Sequence, residues 1–245
     1  MKWALVTGTS RGLGSAVARA LLDRGWTVTG IARGPAPAEL AHERYEHREL
    51  DLSDLPRTAT VVERELAGTM RPGLRRAALV NNAGRVEPVG PVHALDAAEL
   101  LKTLVLNAAT PIWLSGFLLR HFRCPLRIVD VSSGAARSPY PGWSAYCASK
   151  AALAMADRVL ATEIDEVPAL AQRDIAVVTY APHVVATRMQ ETVRTAATED
   201  FPRRARFVEL HERGDLVAPE GPAREIAELC DADGLPAHSE LRFRP

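Results

Sequence analysis

The sequence predicts an α/β protein: a single domain built on a doubly wound parallel sheet with helices on both faces. Three observations predict it. Short apolar runs alternate with longer stretches of helical spacing along all 245 residues. The first apolar run leads directly into the glycine-rich stretch "TGTSRGLG", and that stretch directly into a helical pattern. No internal repeat or linker divides the chain, so one domain spans 1–245.

The elements follow in order. "WALVTG" (3–8) reads as a buried strand, and "GSAVARALLDRG" (14–25) as a helix ending in glycine. "TVTGIA" (27–32) is a second strand and "YEHREL" (45–50) a weaker third. Residues 53–68 are helical, with Pro56 tolerable only in the first turn. "RAALVNNAG" (76–84) is a strand entering a turn. Residues 96–122 read as one long helix that Pro111 kinks. The strand "LRIVDVSS" (126–133), a helix over 144–164 and the strand "DIAVVTYAP" (174–182) come next. A helix near 219–230 and a short strand, "ELRFR" (240–244), close the pattern. Residues 34–44 and 183–217 are the least regular, and the second stretch is long enough to be a substrate lid.

Composition narrows the function classes. Hydrophobic residues make up 47% of the chain, enough for a substantial core. Thirty basic residues balance thirty acidic ones, and no basic stripe suggests nucleic acid or an anionic membrane. No stretch of about 18 uninterrupted apolar residues suggests a membrane span. The N-terminal apolar run is too short for a signal peptide. Three scattered cysteines, Cys124, Cys147 and Cys230, give no disulfide framework. The expectation is a cytoplasmic protein. The seven histidines, His93, His121 and His211 among them, lack metal-ligand spacing, so no metal is expected.

The glycine turn points to a nucleotide. Gly8, Gly12 and Gly14 have the spacing G-x-x-x-G-x-G, between a strand and a helix. Glycine lets backbone approach a pyrophosphate, and the helix start offers unpaired N–H groups and a positive dipole end. In an open parallel sheet, ligands bind beyond the carboxyl ends of the strands, where this turn lies. After the second strand, an acid would bond the ribose 2′-OH of NAD, and a base would pair with the 2′-phosphate of NADP. The residue here is Arg33, Arg11 adds a second guanidinium, and no acid follows before Glu39. That reading is NADP(H); the plainer one is two solvated surface arginines.

"SAYCASKAAL" (144–153) places Tyr146 and Lys150 four residues apart on one helix face. A free tyrosine titrates near 10, and a nearby ammonium is expected to lower that value and make the phenol a usable acid or base. Ser133, at the end of the preceding strand, has a hydroxyl that can hold a substrate carbonyl oxygen. The lysine can also bond the ribose of a nicotinamide nucleotide. Alone, Y-x-x-x-K is a common surface pair worth a few tenths of a kcal/mol. Beside a nucleotide turn and this serine, it reads as hydride transfer to a carbonyl with the tyrosine donating the proton. Tyr140 and Trp143 precede that helix and can line a substrate pocket or simply pack a loop.

These residues together resemble the short-chain dehydrogenase/reductases, a Rossmann-fold family, over nearly the whole chain: "TGTSRGLG", "NNAG" (81–84), Asn107 and "YCASK" (146–150). The resemblance implies a catalytic set of Ser133, Tyr146, Lys150 and Asn107, with Asn107 holding a water in a proton relay from Lys150. It implies cofactor contacts from Gly8, Ser10, Arg11, Gly12, Leu13, Gly14, Arg33, Asp51 and Leu52. Asp51 would touch the adenine. Asn81 would stabilise the central sheet together with Asn82, Ala83 and Gly84, the last three also lining the cofactor. Pro182, Val185 and Thr187 would lie near the nicotinamide, as would Tyr146 and Lys150. It also implies a homodimer or homotetramer paired through the helices at 96–122 and 144–164.

Within the family, "GWSAYCASKAAL" (142–153), "YAPHVVATRMQE" (180–191) and "RGDLVAPE" (213–220) are similar to the sepiapterin reductase and benzil reductase group. Those enzymes reduce ketones and vicinal dicarbonyls with NADPH. Two departures stand out. The family's proline–glycine after the sixth strand is Pro182–His183 here, and the histidine is expected to hold φ below zero. The aspartate that anchors pterins has only Glu240 as a counterpart. Trp143, Tyr140, His183 and Glu240 are therefore the substrate-side residues expected. Three functions stay open: an NADPH-dependent carbonyl reductase, an NADP-dependent secondary-alcohol dehydrogenase, and a regulator that senses NADP(H) without turnover. The intact Ser–Tyr–Lys set speaks against the third.

Overall fold

The computed structural model describes residues 1–67 and 73–245. Its parallel sheet has the order β3-β2-β1-β4-β5-β6-β7. The strands are β1 (Lys2–Thr7), β2 (Thr27–Ala32), β3 (Tyr45–Glu49), β4 (Arg76–Asn81), β5 (Leu126–Val131), β6 (Ile175–Ala181) and β7 (His238–Arg242). The central strands are almost entirely buried, as strands covered on both faces must be, whereas β3 and β7 carry charged, half-exposed residues at the sheet edges. Chain order reverses between β1 and β4, so the crevice for a ligand opens above their carboxyl ends.

One face of the sheet carries α1 (Gly12–Asp23) and α9 (Glu220–Asp231), packed on Val6, Val80, Val129 and Val178. The other carries α2 (Leu55–Leu66), α3 (Ala97–Leu104), α4 (Thr110–His121) and α5 (Ser144–Glu166), over Leu5, Leu79, Ile128 and Val177. Pro56 sits in the first turn of α2, where Asp54 caps the N–H of Arg57 at 3.1 Å. Gly68, the last residue of the helix expected there, lies outside the described residues. A one-turn helix, α6 (Pro168–Ala171), follows α5.

Two expectations need correction. The helix expected over 96–122 is not continuous α-helix with a proline kink: a π-helical turn over Val105–Ala109 separates α3 from α4. The wider turn absorbs Pro111, which has no N–H to return to the carbonyl of Asn107 four residues back. Over Ala97–His121 the chain is long and apolar enough to cross a membrane by composition alone. Half of its most apolar window is buried within the protein, as in a core helix. The segment 183–217, read as irregular, contains α7 (Arg188–Thr195) and α8 (Arg204–Glu212). Their patterns are hidden by charge: α7 buries only Gln190 and Val193, α8 only Phe207.

Candidate active site

The floor of the cleft is made by the turn between β1 and α1. Gly8 and Gly12 have φ of 75° and 59°, conformations that glycine adopts freely. A Cβ on Gly14 would stand 2.2 Å from the Gly8 carbonyl oxygen, so α1 and the turn meet at a distance only glycine permits. Asn82, just past β4, locks this arrangement: its Nδ2 donates to the Thr7 carbonyl at 2.9 Å. The Thr7 hydroxyl accepts the N–H groups of Asn82 and Ala83 at 3.0 Å each. Thr7 was not singled out from the sequence; its place one residue before the first glycine was the available signal. Thr187 reaches the same turn, its methyl 3.3 Å from where a Gly12 side chain would begin.

Arg11 and Arg33 are both exposed at this end, and neither makes an ion pair among the described residues. Asp51 lies nearby. Burial opposes its charge, but hydrogen bonds from Ser53 (2.9 and 2.7 Å) and the charges of Arg33 and Lys102 hold its carboxyl below the usual range. The positive edge and the glycine cradle can hold the phosphates of a nucleotide. Leu13 and Leu52 are buried beside Ser10 and Asp51, the former in the first turn of α1.

Ser133, Tyr146 and Lys150 come together above β5. Ser133 lies two residues past β5 in extended conformation, and its side chain bonds the Tyr146 phenol. Lys150 is buried, and its Nζ donates to the Val131 carbonyl at 2.8 Å. Gly84 closes the group: a Cβ there would lie 3.3 Å from Asn107 Oδ1 and 3.8 Å from Lys150 Nζ. Asn107 is wholly buried. Its Oδ1 accepts from the Arg85 N–H at 2.9 Å, and its Nδ2 donates to the Arg85 carbonyl (2.8 Å) and Ser149 Oγ (3.0 Å).

The expected lowering of the tyrosine by its lysine is corrected here. Burial pushes the Tyr146 phenol above 10, against a smaller opposing effect of the Ser133 hydrogen bond. Lys150 spends its hydrogen bond on the strand carbonyl instead. The lysine is shifted as well: burial lowers it to about 8, although Asp130 and Asp157 pull the other way.

At the start of α5, Trp143 stands edge-on to the Tyr146 ring, 5.4 Å between centroids. It also touches Tyr140 (5.1 Å), Phe207 (5.3 Å) and Phe201, on which it stacks at 4.5 Å. Phe201 and Phe207, missed from the sequence, are the aromatic residues in the charged run "EDFPRRARF". They tie the 183–217 segment to the start of α5.

His183 has φ of 68°, not the negative value expected. The backbone keeps the glycine-like conformation and bears the histidine side chain in it. Burial, then the charges of Arg242 and Arg206, hold its imidazole below the ordinary value, so it is neutral at pH 7. Pro182 and Val185 flank it, both buried. Glu240 does not join the aromatic wall. From β7 it takes two hydrogen bonds from Arg158, at 3.0 and 2.8 Å, and an ion pair from Arg137.

The comparisons with known proteins agree with this geometry. The sequence matches the short chain dehydrogenase family over residues 2–198. It is 32% identical over 251 aligned positions to a benzil reductase ((S)-benzoin forming) of Bacillus cereus, covering 99% of each chain. It is 32% identical to a sepiapterin reductase of Xenopus laevis, covering 98% of this chain and 94% of the relative. Among solved structures, a short-chain dehydrogenase/reductase of Saccharomyces cerevisiae superposes with a TM-score of 0.81 at 27% identity, over 99% of this chain and 96% of that one. With its glycine cradle, its Ser133–Tyr146–Lys150 cluster and these relatives, the chain belongs to the short-chain dehydrogenase family of oxidoreductases.

Proposed function

We propose that the protein is an NADPH-dependent carbonyl reductase acting on ketones or vicinal dicarbonyls, with Tyr146 as proton donor. The observation that carries the reading is the convergence of Ser133, Tyr146 and Lys150 beside the glycine turn. When bound, a nicotinamide nucleotide supplies the hydride. Gly8, Gly12 and Gly14, with the start of α1, would receive its pyrophosphate, and Ser10 and Leu13 belong to the same turn. Arg11 and Arg33 would take the 2′-phosphate, Asp51 and Leu52 the adenine side. Asn82, Ala83 and Gly84 would line its middle, and Pro182, Val185 and Thr187 the nicotinamide end. Lys150 would bond the ribose.

The chain's own groups divide the rest of the work. Ser133 orients the substrate oxygen. A buried phenol held above its usual value keeps its proton at neutral pH, which suits donation to a carbonyl better than abstraction from an alcohol. That favours reduction over the reverse direction. Asn107 serves the relay through its main-chain carbonyl, since its side chain is committed to Arg85 and Ser149. Pro111 withholds the α-helical donor from that carbonyl, which leaves it suited to hold a water next to Lys150.

The substrate side is aromatic. Tyr140, Trp143, Phe201 and Phe207 favour a flat apolar ketone, in keeping with the benzil named for the Bacillus relative. Trp143 Nε1 and His183 Nδ1 are buried without a hydrogen-bond partner among the described residues, as groups that await a polar ligand atom. The 183–217 segment acts as the lid, its Phe201 and Phe207 seated on Trp143. Exposed Leu101, Ile112, Met155 and Val159 on α3, α4 and α5 support pairing of two copies through these helices.

NADPH oxidation measured against benzil, sepiapterin and quinones tests the substrate class. Tyr146→Phe tests the chemistry: turnover should fall by roughly 10²–10⁴, the usual worth of a positioned general acid, while NADPH binds almost as before. Activity within about tenfold of the parent would assign the proton to another group.

A further inference from the structure

Behind Lys150, away from the cleft, two carboxyls meet in the interior. Asp130 lies on β5 and Asp157 on α5, both almost wholly buried and hydrogen-bonded to each other. Asn81 Nδ2, from β4, donates to Asp130 at 2.6 Å. The Thr179 hydroxyl, from β6, donates to Asp157 Oδ2 at 2.5 Å. On its far side that hydroxyl meets His238 Nε2 of β7 at 3.0 Å. The charged and titratable groups around the pair are Lys150 from α5 and, toward the surface, His238. The charges beyond, Arg158 and Glu240, are bound to each other. Among the described residues, no hydrogen-bond donor of full positive charge touches either carboxylate.

Two buried carboxylates in contact cannot both be ionised at neutral pH. Nor is a fully neutral pair expected beside a buried ammonium. Asp130 is the member suited to the charge, with Asn81 donating to it and the Asp157 acid as its second donor. Asp157, already accepting from Thr179, keeps the proton; burial and the neighbouring Asp130 push it up to about 10.

We propose that Asp130 and Asp157 are a positioning pair for Lys150: they share one proton, and the single negative charge left between them keeps the lysine an ammonium in the interior. The inference rests on the reading of Lys150 as part of the catalytic set only for its consequence, not for the pair itself. Lys150 is bonded to a strand carbonyl on a wholly buried side chain, a setting that by desolvation alone favours the neutral amine. One negative charge at its back opposes that. It also explains why an acid stands at 157, on the buried face of a helix otherwise lined there by Leu153, Ala154 and Ile164.

Competitive acetylation of the nucleotide-free protein over a pH series, with Lys150 followed by mass spectrometry, reads the lysine titration without any turnover. Asp157→Asn and Asp130→Asn each leave one acid, so neither should move it by more than about half a unit. Asp130→Asn/Asp157→Asn removes the charge and should lower it by at least about one unit, the usual effect of a nearby opposite charge. Equal downward shifts in the single variants would mean two charges, and an unmoved double variant none; either overturns the proposal. Infrared spectra of the single variant keep it testable if the double variant does not fold. The parent at neutral pH should show the carbonyl stretch of an un-ionised acid, and Asp157→Asn should lack it. A parent without that band overturns the pair.

The alkaline limb of kcat/KM separates the two readings. If the lysine titration moves in the double variant and the limb follows it to lower pH, both stand. If the titration moves and the limb does not, the pair stands and the catalytic role of Lys150 fails.

Discussion

Between β1 and α1 the wall of the cleft is backbone, with Gly14 pressed on the Gly8 carbonyl and Asn82 bonded to Thr7. Beside the start of α5 the packing is side chain: Tyr140, Trp143, Phe201 and Phe207 in ring contact, the last three buried. The first wall has no room for an added atom at Gly14 and is held by backbone and the amide of Asn82. The second is held mainly by ring packing, and its residues lie up to 67 positions apart, from Tyr140 to Phe207. A cofactor common to many reactions suits the first wall, and a substrate peculiar to one enzyme suits the second.

Substitutions at each wall should therefore fail differently. Gly14→Ala has the larger expected effect. Its Cβ would fall 2.2 Å from the Gly8 oxygen and 2.4 Å from Asn82 Nδ2, so the turn must open. NADPH binding, followed by fluorescence titration, should be lost or the protein should fail to fold. Near-parental affinity would show that the turn has slack the contacts do not display. Phe201→Ala should spare NADPH affinity. Emptying a fully buried ring costs about 3–5 kcal/mol in a core, but a lid can open locally and so cap the loss. The expected signature is a raised KM for benzil with an unchanged NADPH dissociation constant. A matching loss of cofactor affinity would erase the distinction between the walls.

The same contrast explains what the sequence disclosed. Gly8, Gly12 and Gly14 were legible because a backbone demand fixes residue type and spacing together. Tyr146 and Lys150 were legible because one helix turn puts them on one face. The π turn at Val105–Ala109 was not, since Pro111 announces a disturbance without saying how the helix absorbs it. Phe201 and Phe207 were not, because contact across the fold leaves no local period. The Tyr146 shift was misjudged for a related reason. Spacing gave the lysine's proximity, but the burial that dominates the phenol comes from the packed protein around it. Asp130 and Asp157, 27 positions apart, are joined only by the register of β5 beneath α5.

Arg33→Ala sharpens the comparison within the cofactor wall. Its guanidinium is exposed and makes no ion pair among the described residues, so its removal should leave stability nearly unchanged. NADPH binding should weaken by about 1.5–3 kcal/mol, the range for a hydrogen bond to a charged group, and NADH binding should hardly move. Equal losses for both nucleotides would show that Arg33 does not read the 2′-phosphate.

The smallest expected effect is at His183, just past β6. A histidine at φ 68° bears a strain that glycine does not, worth about 1–2 kcal/mol. Glycine gives back some of that gain by loosening the unfolded chain, about 0.4–1 kcal/mol. His183→Gly should therefore raise the urea midpoint slightly, with a net gain of about 1 kcal/mol or less. A drop in stability would mean that packing of the imidazole outweighs the strain of its backbone. Function discriminates further. If the ring only narrows the substrate entrance, the variant should accept bulkier ketones while its NADPH dissociation constant stays put. If the imidazole bonds the nicotinamide carboxamide, NADPH should bind more weakly and the substrate range should hold. A variant unchanged in both would remove His183 from the site, leaving its buried Nδ1 a structural matter alone.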